Sequence, residues 1–144
     1  PVTLADASRH LQRLTLGKYR NVWTPLGERQ LRVDDDQNHT LRVEQLSRGT
    51  REQLFLAIRL ALVEELARQG TRLPMVLDDV LVNFDQERSE AATEVLRDFA
   101  QKGYQVLLFT CHRHLAERAE TQGLHPIWLP GKETTATSVE RLAG

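Results

Sequence analysis

Hydroxyl, carboxylate and imidazole side chains that could bind a phosphate group or a metal ion fall in three short segments of this sequence. Each segment begins or ends an apolar stretch, and such boundaries are where the ends of strands and helices meet ligands in α/β folds. The segments are LSRGT at 46–50, MVLDDVLVNFD at 75–85 and FTCH at 109–112.

The middle segment supplies a pair of carboxylates. An apolar strand over residues 75–77 is typical of a parallel sheet that is covered on both faces, and it would place Asp78 and Asp79 at the carboxyl edge. One carboxylate there can hold Mg²⁺ through water, while the other orients or deprotonates an attacking water. Taken alone, the same pair can simply start the following loop.

The first and third segments add groups that contact anions. Ser47 and Gly49, with the free amides at the head of a long helix, form an anion site that the helix dipole favours, and the glycine lets a ligand approach the backbone. The alternative is ordinary capping by Ser47 or Thr50, because Thr50 and Gln53 have the spacing of a capping box. His112 follows an apolar strand and could donate a hydrogen bond to a phosphate or to water.

The surrounding pattern predicts the elements that must position these groups. Residues 4–16 carry apolar side chains at steps of three and four, which indicates an amphipathic helix or the end of a coiled coil. An antiparallel β-meander follows, and the later alternation of helices and strands indicates an α/β fold with a mostly parallel sheet flanked by helices. The predicted strands are 19–23, 30–33, 40–43, 75–77, 104–109 and 126–129, and the later helices are 51–69, 86–102 and 112–121.

Length and composition fit one domain and exclude several classes of protein. The 144 residues suffice for one core, and a net charge of -1 gives no overall basic field for nucleic acid. The single Cys111 excludes a disulfide framework within the chain and fits the cytoplasm, and no apolar run is long enough to span a membrane. We divide the domain into a helix at 1–17, a meander at 18–45, a lobe at 46–130 and a polar tail at 131–144.

We expect the helix over 51–69 to be mostly buried, because its apolar face is broad. This inward face contains Leu54, Phe55, Ile58, Ala61, Leu62 and Leu66, and it is widened by Leu56, Leu60 and Val63. Cys111 is expected to be a small buried residue at the end of its strand. One cysteine and crowded spacing do not favour a zinc site at Cys111, His112 and His114. The acidic run over 34–45 departs from the calcium-binding EF-hand pattern at two required positions.

The order and spacing of the three segments resemble the C-terminal lobe of an ATP-binding-cassette ATPase head, over residues from about 41 to 129. The run REQLFLAIRLALVEELA, and the lack of a proline directly after the acidic pair, look like the SMC and Rad50-like group, whose heads cap long coiled coils. The resemblance implies ATP and Mg²⁺ as cofactors of a complete head and a dimer of two heads that sandwiches ATP. It also implies a role in DNA repair or chromosome maintenance, with DNA as a partner by family analogy alone.

Carried over to this sequence, the resemblance implies a role for each segment. Asp78 would support Mg²⁺ through water, Asp79 would stand at the catalytic carboxylate position, and His112 would sense the γ-phosphate. The signature turn would contact ATP held by the second head, and the D-loop would communicate across the dimer. The signature residues are Ser47, Arg48, Gly49 and Thr50, and the D-loop residues are Asn83 and Asp85.

Two departures and one absence limit this interpretation. Arg48 stands where the signature usually has a second glycine, and Asp79 is one methylene shorter than the usual glutamate. The chain has no G-x-x-x-x-G-K-[ST] loop, so an N-terminal lobe must supply it, and we expect the isolated chain to be an inactive ATPase that binds ATP weakly or not at all. The start at Pro1 indicates a piece of a longer protein. The alternatives are a fragment of a transporter nucleotide-binding domain and a non-catalytic interaction module.

Overall fold

The computed structural model describes residues 2–130, and their elements follow the predicted order. The chain divides into two compact units, the first ending at His112 and the second beginning at Arg113. The first unit contains α1 (Val2–Leu14), β1 (Tyr19–Trp23), β2 (Arg32–Asp35), β3 (Thr40–Arg42), a 3-10 turn (Val43–Gln45), α2 (Arg48–Arg68), β4 (Met75–Asp78), α3 (Gln86–Gln101) and β5 (Val106–Phe109), and the described part of the second contains α4 (Arg113–Thr121).

The core of the first unit lies largely where α1 packs against α2 and β1. Leu11 and Leu14 of α1 and Leu54 and Leu60 of α2 are completely buried. Each such side chain contributes about 1.5–3 kcal/mol through removal of apolar surface from water. Gln53 is buried beside them, and its amide donates a hydrogen bond to the backbone carbonyl of Leu14. The amphipathic helix predicted at the start of the chain is therefore confirmed, and α2 holds its C-terminal end.

A second set of contacts between α1 and α2 is polar and mostly buried. His10 Nε2 lies 3.0 Å from Glu64 Oε2, and Arg9 donates to the same oxygen over 3.0 Å. Arg68 donates to Asp6 over 2.6 Å. Burial lowers the pKa of His10, although Glu64 opposes the shift, so the ring is neutral at neutral pH and Nε2 is the donor. We call these five residues the helix cluster.

The three-stranded meander is antiparallel in the order β1-β2-β3, as predicted. Its second strand runs over Arg32–Asp35 instead of residues 30–33. Asp34 explains the shift, because its carboxylate accepts hydrogen bonds from Trp23 Nε1 over 3.1 Å and from Thr40 Oγ1 over 2.7 Å. These cross-strand bonds keep the acidic residue within the ladder, where sequence propensity alone assigns it to a turn.

The strands β4 and β5 form a parallel pair in which Val76 lies opposite Leu107 and Asp78 lies opposite Phe109. Met75 and Leu77 are buried on one face. The other face is exposed: the fractions are 56% for Val76, 40% for Leu107 and 45% for Phe109. The prediction of a sheet covered on both faces is therefore wrong within residues 2–130, which cover one face only. We call the face with Val76, Asp78, Leu107 and Phe109 the open face.

The helix α2 begins at Arg48, three residues before the predicted start, and its inward face differs from the prediction. Phe55 and Leu62 are about half exposed, so the expectation that they face inward is wrong. Their spacing of seven places them together on a second stripe, turned away from the buried stripe that contains Leu54 and Ala61. The helices α3 and α4 agree with their predicted bounds to within one residue.

The predicted final strand over residues 126–129 is wrong, because this segment forms neither helix nor strand. Pro126 and Pro130 flank it, and proline has no N–H to donate to a ladder. Within the same unit, the guanidinium of Arg113 lies 5.5 Å from the centre of the Trp128 ring. The predicted polar tail at 131–144 lies outside the described residues.

Candidate functional site

Asp79 directly follows β4, and the end of β5 holds its carboxylate. Its backbone has a φ of 47°, in the left-handed region that aspartate adopts more readily than most residues. Its N–H donates to the carbonyl of Phe109 over 2.9 Å. Oδ1 accepts hydrogen bonds from Thr110 Oγ1 over 2.8 Å and from the Cys111 N–H over 3.2 Å, and Oδ2 accepts one from the Cys111 thiol over 3.3 Å.

These contacts set the charge states of Asp79 and Cys111. The hydrogen bonds from Thr110 and Cys111 lower the pKa of the Asp79 carboxyl, and the same contact raises the pKa of the Cys111 thiol. The carboxylate is therefore ionised and the thiol protonated near neutral pH. A carboxylate that accepts three hydrogen bonds is a weak base, and it is better suited to orienting a group or binding a cation.

Cys111 is exposed, so the expectation that it is a buried strand-end residue is wrong. The strand β5 ends at Phe109, two residues earlier, and the chain then turns so that the thiol meets the Asp79 carboxylate at the surface. Apolar residues before a cysteine predict the strand but not where its ladder ends. The side chain is therefore available to ligands at the carboxyl edge of the strand pair.

His112 lies at the same edge, so the structure brings the two predicted catalytic residues together. One ring nitrogen of His112 lies within 4.8 Å of a carboxylate oxygen of Asp79 and of the Cys111 sulfur. The backbone N–H of His112 donates to Thr110 Oγ1 over 3.1 Å, and that hydroxyl in turn donates to Asp79. Thr110 is a site residue that the sequence reasoning missed, although a hydroxyl directly after a strand and before the histidine was the available signal.

Asp78 and Asp79 are adjacent in sequence but point to different places. Asp78 is the last residue of β4, lies opposite Phe109 on the open face and is exposed. Asp79 instead turns toward the end of β5. The Mg²⁺ role that the resemblance implies for Asp78 stays a prediction.

The predicted signature residues form the first turn of α2. Ser47 caps the helix, since its hydroxyl accepts a hydrogen bond from the Thr50 N–H over 3.2 Å and lies 2.8 Å from Thr50 Oγ1. The alternative capping box at Thr50 and Gln53 is wrong, because α2 starts at Arg48 and Thr50 is already inside it. Ser47 and Arg48 are exposed, whereas Thr50 is buried and supports Ser47 from below.

Gly49 allows the predicted D-loop to approach the start of α2 within this chain. A Cβ at this position would lie 3.3 Å from the carbonyl oxygen of Asn83 and 3.0 Å from Arg88 Nη1. Asn83 also donates from its amide to Glu52 Oε1 over 2.7 Å. Asp85 caps α3 by accepting a hydrogen bond from the Arg88 N–H over 2.9 Å. The signature turn and the D-loop are therefore packed directly against one another.

A surface cleft of about 330 Å³ joins these segments. It lies between α2 and the loop after β4, and it carries both basic and acidic side chains. The exposed guanidinium of Arg48 donates to Glu52 Oε1 over 3.4 Å, at the limit of a hydrogen bond. The polar side chains lining the cleft are Arg48, Glu52, Arg59, Asp78, Asp79 and Asn83.

Within residues 2–130, no helix has the length and apolar character needed to cross a membrane.

Comparisons with known proteins show similarity in both sequence and structure. No protein-family model matches it. It is 39% identical over 118 residues to the uncharacterized protein YhaN of Bacillus subtilis strain 168, a match that covers 81% of this chain and 12% of that protein. The SMC head domain from Thermotoga maritima matches 82% of this chain and 40% of its own, with a TM-score of 0.58 and 20% identity.

A further structure, from work on ATP-driven dimerization and DNA-stimulated activation of SMC ATPases, matches 79% of this chain and 70% of its own, with a TM-score of 0.62 and 13% identity. The described residues therefore have the α/β fold of SMC head domains, as predicted. The chain spans a minor part of the Bacillus relative and less than half of the Thermotoga head domain.

Proposed function

We propose that this chain, which has the fold of part of an SMC head, is the C-terminal lobe of an SMC- or Rad50-like ATPase head. The exposure of apolar side chains on the open face is the observation on which this proposal rests. Parallel strands normally occur in sheets that are buried on both faces, yet Val76, Leu107 and Phe109 are largely exposed here. An N-terminal lobe that continues the sheet and carries the phosphate-binding loop would cover this apolar surface.

The position of Asp78 links this missing cover to nucleotide chemistry. Because Asp78 shares the open face with Val76 and Phe109, a lobe that docks there would bring its phosphate-binding loop close to this carboxylate. Mg²⁺ held by Asp78 through water would neutralise charge on the ATP phosphates. In this arrangement Asp79 orients a water molecule at the carboxyl edge, and His112 donates to the γ-phosphate.

The start of α2 supports a second contact, with a second head. Ser47 and Arg48 are exposed at the N-terminus of a 21-residue helix, where a phosphate group is favoured by the helix dipole. The side chain at position 48 is a cation in place of the usual glycine, and it adds attraction for a triphosphate. We infer that this turn binds ATP held by the partner head, so that ATP joins two heads and hydrolysis separates them.

The whole protein's role follows from resemblance and not from any contact in this chain. We propose a cytoplasmic protein of DNA repair or chromosome maintenance, in which α1 continues into a coiled coil and DNA is a partner. The stripe of α1 packs on α2 within this chain, so the coiled coil rests on the resemblance alone.

The test uses the full-length protein with Ser47→Arg. The larger, charged side chain should block ATP-dependent head dimerisation, measured by light scattering after size exclusion, and leave ATP binding by each head within about threefold of wild type. The matched control is Gln37→Arg, which adds the same charge to an exposed meander residue and should dimerise normally.

Loss of ATP binding together with dimerisation would contradict a signature role, because the turn would then act within its own head. Normal dimerisation of Ser47→Arg would favour the non-catalytic interaction module.

A further inference from the structure

The carboxyl edge of the strand pair contains a set of donor atoms that differs from a magnesium site. One atom each from the Asp79 carboxylate, the Cys111 thiol and the His112 ring all lie within 4.8 Å of one another. Sulfur, imidazole nitrogen and carboxylate oxygen together are the ligands of Zn²⁺ and related divalent transition metals, whereas Mg²⁺ prefers oxygen. We propose that Asp79, Cys111 and His112 form a binding site for Zn²⁺, with water as the fourth ligand.

The distances need only a small adjustment to fit a tetrahedral ion. Zinc bonds of about 2.0–2.3 Å place neighbouring ligand atoms roughly 3.5 Å apart. The Cys111 sulfur and Asp79 Oδ2 are already 3.3 Å apart. The His112 ring nitrogen lies within 4.8 Å of both atoms, so an ion requires it to move closer by roughly 1 Å.

Hydrogen bonds from neighbouring residues fix the Asp79 carboxylate, as hydrogen bonds fix the ligating carboxylates of known metal sites. Oδ1 is occupied by the hydroxyl of Thr110 and by the N–H of Cys111, which leaves Oδ2 directed at the thiol. When the ion binds, the thiol gives its proton to solvent and its sulfur lone pair to the metal, and Oδ2 exchanges the S–H donor for the same metal. Thr110 then orients the ligating carboxylate, a role that strongly influences affinity in known zinc sites.

Metal binding at this place has a consequence for catalysis that rests on the proposed function. Asp79 and His112 are the residues proposed to handle water and the γ-phosphate. An ion that coordinates both side chains prevents them from contacting water and the γ-phosphate, so zinc inhibits ATP turnover. A fall in the concentration of free zinc restores turnover. The binding itself needs only the three ligands on this chain.

The experiment titrates metal-free, reduced full-length protein with Co²⁺, which reports on thiolate ligation through a near-ultraviolet charge-transfer band. Zn²⁺ should then abolish the band by displacement. Cys111→Ser should lose the band, and Asp79→Asn and His112→Ala should each weaken Co²⁺ binding at least about tenfold. The control Asp36→Asn removes an exposed carboxylate in the turn after β2 that does not belong to the cluster, and it should bind as wild type. Circular dichroism shows whether each variant is folded.

Three results would overturn the site: no charge-transfer band in the wild type, a band that persists in Cys111→Ser, or affinity unchanged in both Asp79→Asn and His112→Ala. A separate ATPase assay addresses the second step, since micromolar Zn²⁺ should inhibit turnover and a chelator should restore it. Cobalt binding without any ATPase activity would refute the proposed function and leave the metal site standing. Turnover that is insensitive to bound zinc would refute inhibition alone.

Discussion

The helix pair α1–α2 and the strand pair β4–β5 each combine an apolar contact with a polar cluster. These contacts are mostly buried in the helix pair, whereas one face and the polar edge of the strand pair are exposed. Leu11 and Leu54 are completely buried, and His10 is shielded beside Glu64 in the helix cluster. The strand pair leaves its open face in solvent and carries its polar cluster at an exposed edge. The helix pair contributes to the stability of the fold within this chain, whereas the strand pair carries the groups for which we propose contacts with other molecules.

The largest expected difference lies between the two faces of the strand pair. Leu77→Ala should lower the free energy of unfolding by about 2–5 kcal/mol, the range for truncating a buried leucine. Leu107→Ala, on the open face, should lower it by less than about 1.5 kcal/mol, because the side chain is already 40% exposed. Urea denaturation of the 144-residue chain measures both values.

Equal losses for the two variants would break the comparison, since they would mean that the open face is covered in solution. Size-exclusion chromatography at several protein concentrations would then show whether a second copy covers it.

A smaller effect should distinguish the buried cluster through pH. Burial lowers the pKa of His10 below its ordinary 6.5, and its charged neighbours Glu64, Arg9 and Lys102 modify the shift. As the pH falls below 6.5, the ordinary pKa of histidine, the unfolded chain binds a proton at His10 that the folded chain does not bind. The free energy of unfolding is therefore highest above this pH and declines below it. The urea midpoint should therefore fall between about pH 7.5 and 5.5, and His10→Gln should reduce that fall.

The control is Gln12→Ala, which changes an exposed neutral residue of α1 and keeps every titrating group, so the fall should remain. A fall that is identical in wild type and His10→Gln would show that the helix cluster does not exclude the proton.

The smallest effect is expected at the exposed cluster. Because the Asp79 carboxylate raises the pKa of the Cys111 thiol, Asp79→Asn should increase the rate of alkylation of Cys111 by iodoacetamide roughly a few-fold at neutral pH. Asp78→Asn should change the rate less, since Asp78 contributes the weakest of the raising influences. A slower reaction in Asp79→Asn would mean that the contact between carboxylate and thiol does not persist in solution.

Much of the fold could be predicted because hydrophobic periodicity is a local property. The stripe of α1, the long helix α2 and the alternation of later helices and strands all follow from spacing. The face that α2 buries could not be read in the same way, because Phe55 and Leu62 form a second apolar stripe as regular as the first. Only the packing partner, α1, decides between the two stripes, and that choice is a tertiary contact.

At the carboxyl edge, the positions of Asp79 and His112 could be predicted, but the parts of Thr110 and Cys111 and the geometry of the cluster could not. Asp79 and His112 were expected at one edge, and the structure places them there. The bonds from Thr110 and Cys111 to Asp79 depend on a backbone angle that no spacing encodes. The same limit applies to Gly49, where the sequence suggested an approach by a ligand and the structure has the Asn83 carbonyl in that space.

The left-handed backbone at Asp79 restricts which residues can be exchanged at this position during evolution. Asparagine and glycine tolerate that conformation, so a lineage can remove the charge here with little loss of folding stability. Glutamate lacks the short side chain that offsets the strain, so its introduction would require the loop after β4 to change as well. Removal of the charge is therefore a single step, whereas a change to the longer acid takes several.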